Sequence, residues 1–156
     1  MQPTDGEQPA RRDARDELDE ALKTLVTSSR RRQGPNRFHA RALLLALGHR
    51  LLADQPIPTD LAERLKLILG PRGEEPWAEA VQEELTLAAT EHVRAVDPRY
   101  LTRRDYDFAY TVAARAELEA RLRAAEELGL PATEDLLDRV VRADEILRPY
   151  LEGRPH

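Results

Sequence analysis

Trp77, Val81, Leu85, Ala88, His92 and Val96 stand three or four residues apart, a spacing that gathers them on one side of an α-helix. Stripes of this kind recur about six times along the chain, and glycine or proline closes most of them. No segment alternates apolar and polar residues as a half-buried strand would. The chain therefore reads as all-α. Its 156 residues suffice for one hydrophobic core, so the expectation is a compact bundle of five to six helices with one long central helix. Residues 1–12 carry Pro3, Gly6 and Pro9 among polar residues and read as a disordered tail. Residues 13–152 read as a single helical domain.

The segments follow from their stops. A helix is expected from Asp13 or Asp16 to about Ser29, with Leu18, Leu22, Leu25 and Val26 on one face. Asn36, after Gly34 and Pro35, suits the N-cap of a second helix running to about Asp54. Phe38, Ala42, Leu45, Leu51 and Leu52 form its expected stripe, and Leu43, Leu44 and Leu47 widen it enough to bury two sides. Pro56 and Pro58 stop it. A short helix opens at Thr59 or Asp60, uses Leu61, Leu65, Ile68 and Leu69, and closes at Gly70 and Pro71. The stripe from Trp77 to Val96 belongs to a helix with Pro76 in its first position, ended by Asp97 and Pro98. A last helix starts at Thr133, uses Leu136, Leu137, Val140, Val141, Ile146 and Leu147, and is expected to kink or stop at Pro149.

The longest helix is expected from about Thr102 to Leu128. Tyr106, Ala109, Ala113, Ala116, Ala120 and Ala124 make a narrow strip of mostly small side chains along it. Small residues allow a second helix to approach closely, either within the bundle or across a dimer seam at Ala109, Ala113, Ala116 and Ala120. Leu118, Leu122, Ala125 and Leu128 lie on another side, so the second half can pack two neighbours.

Several chemistries are excluded by what is missing. Without cysteine there is no disulfide, thiolate zinc site, iron-sulfur cluster or cysteine nucleophile. Neither a signal segment nor a long apolar run occurs, so the expectation is a soluble cytoplasmic protein with no membrane contact. Ser28 and Ser29, the only serines, have no glycine-framed elbow around them. Phosphate-binding glycine loops are absent as well. His39, His49 and His92 do not share a local face with metal-ligand spacing, and no histidine follows a glutamate by three positions. His92, on an apolar stripe, reads as a core-edge histidine with one hydrogen bond. No catalytic residue, metal site or cofactor is assigned.

Charge distribution is the remaining signal. Residues 29–50, SRRRQGPNRFHARALLLALGHR, hold six arginines and no acid, so they carry +6 in a chain of net charge −5 and the remainder carries −11. Between Gly73 and Val93 stand six glutamates and no lysine or arginine. Arginine outnumbers lysine 22 to 2 over the whole chain, as GC-rich coding would produce, which lowers the information in any one cluster. Arg30, Arg31, Arg32, Arg37 and Arg41 nevertheless sit beside an expected helix N-terminus, whose free amides add positive potential. The resulting expectation is a non-catalytic interaction or adaptor protein that contacts an anionic partner surface, with homodimerisation as a further possibility. In a competing arrangement the glutamate face folds against the arginines and the charges cancel. A nucleic-acid-binding accessory protein is the alternative, although aromatics are only 4% and Phe38 reads as core. The Arg32 to His39 spacing also occurs in small helical ribonucleases, but Gly34 and Pro35 interrupt it here.

Overall fold

The computed structural model describes Glu20, residues 36–69 and residues 74–153. The expected tail, the expected helix from Asp13 or Asp16 to Ser29 (Glu20, which is helical, apart) and Arg30, Arg31 and Arg32 lie outside the described residues, as do Gly70 and Pro71. Within the described residues the fold is all-α with no strand: α1 (Arg37–Leu52), α2 (Thr59–Leu69), α3 (Glu74–Ala95), the single turn α4 (Pro98–Leu101), α5 (Phe108–Glu127) and α6 (Glu134–Glu152).

Helix α1 starts where expected, because Asn36 caps it. The Asn36 side-chain oxygen accepts from the His39 amide at 3.0 Å, and the Asn36 amide donates to His39 Nδ1 at 3.1 Å. This is a capping box with histidine in the usual Glu or Gln position. The buried face differs from the expected stripe. Ala40, Leu43, Leu44, Ala46 and Leu47 are buried, whereas Phe38, Ala42 and Leu52 are exposed and Leu45 and Leu51 only half-buried. A helix apolar over most of its circumference does not announce its inner face by period alone. Neighbours decide it: Leu44 and Leu47 join Val81, Leu85 and Leu118 in the main core, while Leu43 and Ala46 pack with Leu61, Leu65 and Trp77 on the other side.

Helices α1 and α5 form the closest pair. A Cβ built on Gly48 would collide with the backbone carbonyl of Ala120, so glycine in mid-helix is what lets the two backbones approach. Ala120 and Ala124 of the alanine strip are buried at this crossing, and Leu118 and Ala125 face the main core from another side.

Three boundaries depart from expectation. Helix α3 begins at Glu74, two residues before Pro76, since proline is tolerated throughout a first turn whose amides have no intrahelical acceptor. The helix expected from Thr102 starts at Phe108 instead: Asp97 caps the separate turn α4, and Asp107 restarts the chain by accepting from the Tyr110 amide at 2.9 Å. At 20 residues α5 is thus central yet shorter than the 22-residue α3. Helix α6, capped by Thr133 as expected, continues through Pro149 to Glu152, held beyond the proline by packing of Tyr150 and Leu151 on Val96, Leu101, Phe108 and Leu147. Its outer residues Leu137, Val141 and Ile146, expected in the core, are exposed.

Candidate functional site

The apolar stripes of α3 and α5 each carry one charged residue. Glu84 stands between Val81 and Ala88, and Arg121 between Leu118 and Ala125, at helical spacing in both cases. Packing of the two helices therefore buries both side chains, with Glu84 at 3% and Arg121 at 6% exposure. Glu84 Oε1 lies 3.2 Å from Arg121 Nε, and Glu84 Oε2 lies 3.7 Å from a terminal nitrogen of Arg37 at the start of α1. Arg41, one turn on, acts on the same carboxylate through space. One buried carboxylate is thus surrounded by three guanidinium groups.

The charges are close but not fully satisfied. Among the described residues, Glu84 Oε2 and Arg121 Nε are both buried without a hydrogen-bond partner, as is His92 Nδ1. Buried polar atoms without partners each cost about 1–3 kcal/mol, and native proteins keep few of them. Burial pushes the Glu84 carboxyl above its ordinary value; Arg121, Arg37 and Arg41 pull it down without cancelling that effect, and Glu91 raises it further.

These residues line a partly enclosed cavity of about 150 Å³ between α1, α3 and α5. Arg37, Arg41 and Arg121 line it together with Glu84, Glu91 and Glu117, so its formal charges balance, and His92, Tyr110 and Thr111 complete its polar lining. Two aromatic rings flank the arginines: Phe38 is 61% exposed with the Arg37 guanidinium 4.4 Å from its centroid, and Tyr110 is 71% exposed.

His92 continues into a second cluster toward α6. Its Nε2 lies 3.0 Å from Asp144 Oδ1, and Arg115 binds the same carboxylate through Nε and a terminal nitrogen at 2.8–3.1 Å. Burial raises the Asp144 carboxyl, but the hydrogen bonds from Arg115 and His92 outweigh that and hold it below the usual range. An ionised carboxylate can only accept, so Nε2 carries the proton.

The residues marked out by sequence separate on this framework. Arg37 and Arg41 reach the cavity, and Arg30, Arg31 and Arg32 lie outside the described residues. Arg50, from the same stretch, is buried and donates to the Pro56 carbonyl at 2.7 Å, tying the end of α1 to the following turn. Ala120 is enclosed against α1, while Ala109, Ala113 and Ala116 remain exposed. Phe38, read as core, is a surface residue. Glu84 belonged to the acidic run and Arg121 was not singled out. A charge on an apolar stripe was the available signal for both.

Among the described residues no cluster of histidine and carboxylate side chains is placed to hold a metal ion, and no helix is long and apolar enough to cross a membrane. Comparison with known families, curated proteins and solved structures finds no match to this chain.

Proposed function

We propose that this protein is a non-catalytic helical interaction module that receives an anionic group of a protein partner in the cavity between α1, α3 and α5. One observation carries this reading: Arg37, Arg41 and Arg121 converge on a cavity whose buried Glu84 and Arg121 atoms lack hydrogen-bond partners among the described residues. Arginine supplies several donors in a fixed fork and is weakly hydrated, which suits an anion; an incoming anion competes for these donors with Glu84, Glu91 and Glu117 of the same lining. The capping box at Asn36 holds Arg37 at the helix start, where the macrodipole adds to the attraction. Arg30, Arg31 and Arg32 precede it in sequence and add to the positive charge of this stretch.

Titration calorimetry with a hexaglutamate peptide tests the proposal. Affinity is expected to fall steeply as salt rises and to drop about tenfold or more in the Arg37→Ala, Arg41→Ala double variant. Absence of binding at low salt would overturn it. A second reading, binding of a single-stranded nucleic acid, draws support from the exposed Phe38 and Tyr110 rings beside the arginines. A net charge of −5 and the six-glutamate run weigh against it. Tighter binding of an oligothymidylate than of the peptide would reverse the ranking.

A further inference from the structure

We infer that the outer face of α1, formed by Phe38, Ala42, Leu45, His49 and Leu52, is a docking surface whose occupant is residues 13–29 of the same chain, laid antiparallel along the helix. Spacing and exposure mark the face. Its residues recur at intervals of four, three, four and three, the repeat of a helix-packing seam. Yet Phe38 is 61% and Leu52 48% exposed, Ala42 and His49 are exposed too, and Leu45 is only half-buried. The other sides of α1 are taken: Ala40, Leu44 and Leu47 join the main core with α3 and α5, and Leu43 and Ala46 pack with Leu61, Leu65 and Trp77. This helix therefore carries one more apolar side than the described helices use.

Residues 13–29 supply the matching stripe. Leu18, Leu22, Leu25 and Val26 share one side of a helix. Glu20, which alone of this segment belongs to the described residues, is helical and exposed, and two positions from Leu22 it falls on the opposite, solvent-facing side. Only residues 30–35 link the segment to the Asn36 cap. Six residues reach at most about 20 Å, while packed helix axes lie about 8–10 Å apart. Connections of about two to eight residues join antiparallel neighbours in helical bundles. Counted in opposite directions from this link, Leu25 falls opposite Ala42, Leu22 opposite Leu45 and Leu18 opposite His49. The intervals of three and four coincide on the two sides.

Charge selects this occupant over a second copy. Helix α1 holds Arg37, Arg41 and Arg50 and no acid, so it carries +3; residues 13–29 hold five acids against Arg15 and Lys23, so they carry −3. Two copies of the α1 face would instead set +3 against +3. Opposite net charge favours the segment, and attachment through a short link gives it a high effective concentration at this face.

The chain contains no cysteine, so paired substitutions report the contact directly. In the full chain, the Leu22→Cys, Leu45→Cys double variant is expected to close an intramolecular disulfide on mild oxidation with diamide, since the bond needs Cβ atoms about 3.5–4.5 Å apart. Two control pairs should close at least tenfold more slowly: Leu22→Cys with Leu52→Cys, displaced about 10 Å along the same face, and Leu22→Cys with Val112→Cys, on the exposed side of α5. Equal rates in the three pairs would overturn the inference. So would a covalent dimer in place of the intramolecular bond, which would make a second copy the occupant. Hydrogen exchange of the unsubstituted chain is an independent check. Amides of residues 18–26 are expected to exchange at least tenfold more slowly than a random coil, and Leu45→Glu to remove that protection while leaving α3 protected. Coil-like exchange in the wild type, or protection that survives Leu45→Glu, would overturn the inference as well.

Discussion

His92 and Asp144 join α3 to α6 through a 3.0 Å contact between Nε2 and Oδ1, and Arg115 of α5 grips the same carboxylate. Three helices therefore meet on one side chain. Arg115 and Asp144 are each about a quarter exposed, so solvent screens the pair in part. Replacing Asp144 with Ala leaves the buried His92 Nε2–H without its acceptor and leaves Arg115 only Glu119, 3.0 Å away. The expected loss is about 1–3 kcal/mol, or roughly 2–4 °C in Tm per kcal/mol for a chain of this size. A thermal melt that does not move would show that the cluster contributes nothing to stability.

Glu84 and Asp144 predict opposite pH behaviour. The Glu84 carboxyl is raised in the folded state, so its contribution is fully present below the ordinary glutamate value near 4.5 and is lost as pH rises through the folded value. The Asp144 carboxyl is depressed, so its contribution is present above 3.8 and is lost as pH falls through the folded value. Urea unfolding should accordingly show wild type gaining stability as pH drops from 7 toward 4.5, then losing it below 3.8. Glu84→Gln should flatten the first limb and leave the second.

Gly48→Ala is expected to destabilise the protein, against the ordinary preference of helices for alanine by about 0.5–1 kcal/mol. The new methyl meets the backbone of Ala120, and forced separation of two packed helices costs typically about 1–3 kcal/mol. The collision is with main-chain atoms, so adding Ala120→Gly should give no rescue. Chemical denaturation of the single and double variants measures this directly.

Asp54 adopts a left-handed backbone conformation, with φ of 54°, just after α1. Aspartate tolerates this region better than most residues but at a cost that glycine avoids. Asp54→Gly should therefore be neutral or stabilise by about 0.5 kcal/mol, while a β-branched residue such as valine should destabilise by about 1 kcal/mol or more. Midpoints of urea unfolding separate the two substitutions.

How far the structure could be read from sequence depended on whether the deciding interaction was local. Asn36, Thr133 and the stripe from Trp77 to Val96 lie where expected because caps and helical period act within a few residues. The inner face of α1 was not legible, since Leu43, Leu44, Leu45 and Leu47 surround most of the helix and only α3, α5 and α2 choose among them. The restart at Asp107 was missed by the expectation of one helix from about Thr102, because the break after Leu101 comes with Tyr106 reaching back to the Ala95 carbonyl at 2.8 Å. Arg37 and Arg41 were marked by their charge. Their meeting with Glu84 and Arg121 required the tertiary fold, because these residues come from three helices far apart in sequence.

The contact of Gly48 with Ala120 also bears on how relatives of this chain can be recognised. Surface arginines and glutamates can drift, and the apolar residues of the core can exchange for one another in compensating sets. A backbone-to-backbone contact admits no such exchange, because no substitution at the second position makes room for a side chain at the first. Descendants that keep this helix crossing should therefore retain glycine in the middle of their leucine-rich helix long after the rest of the sequence has become unrecognisable.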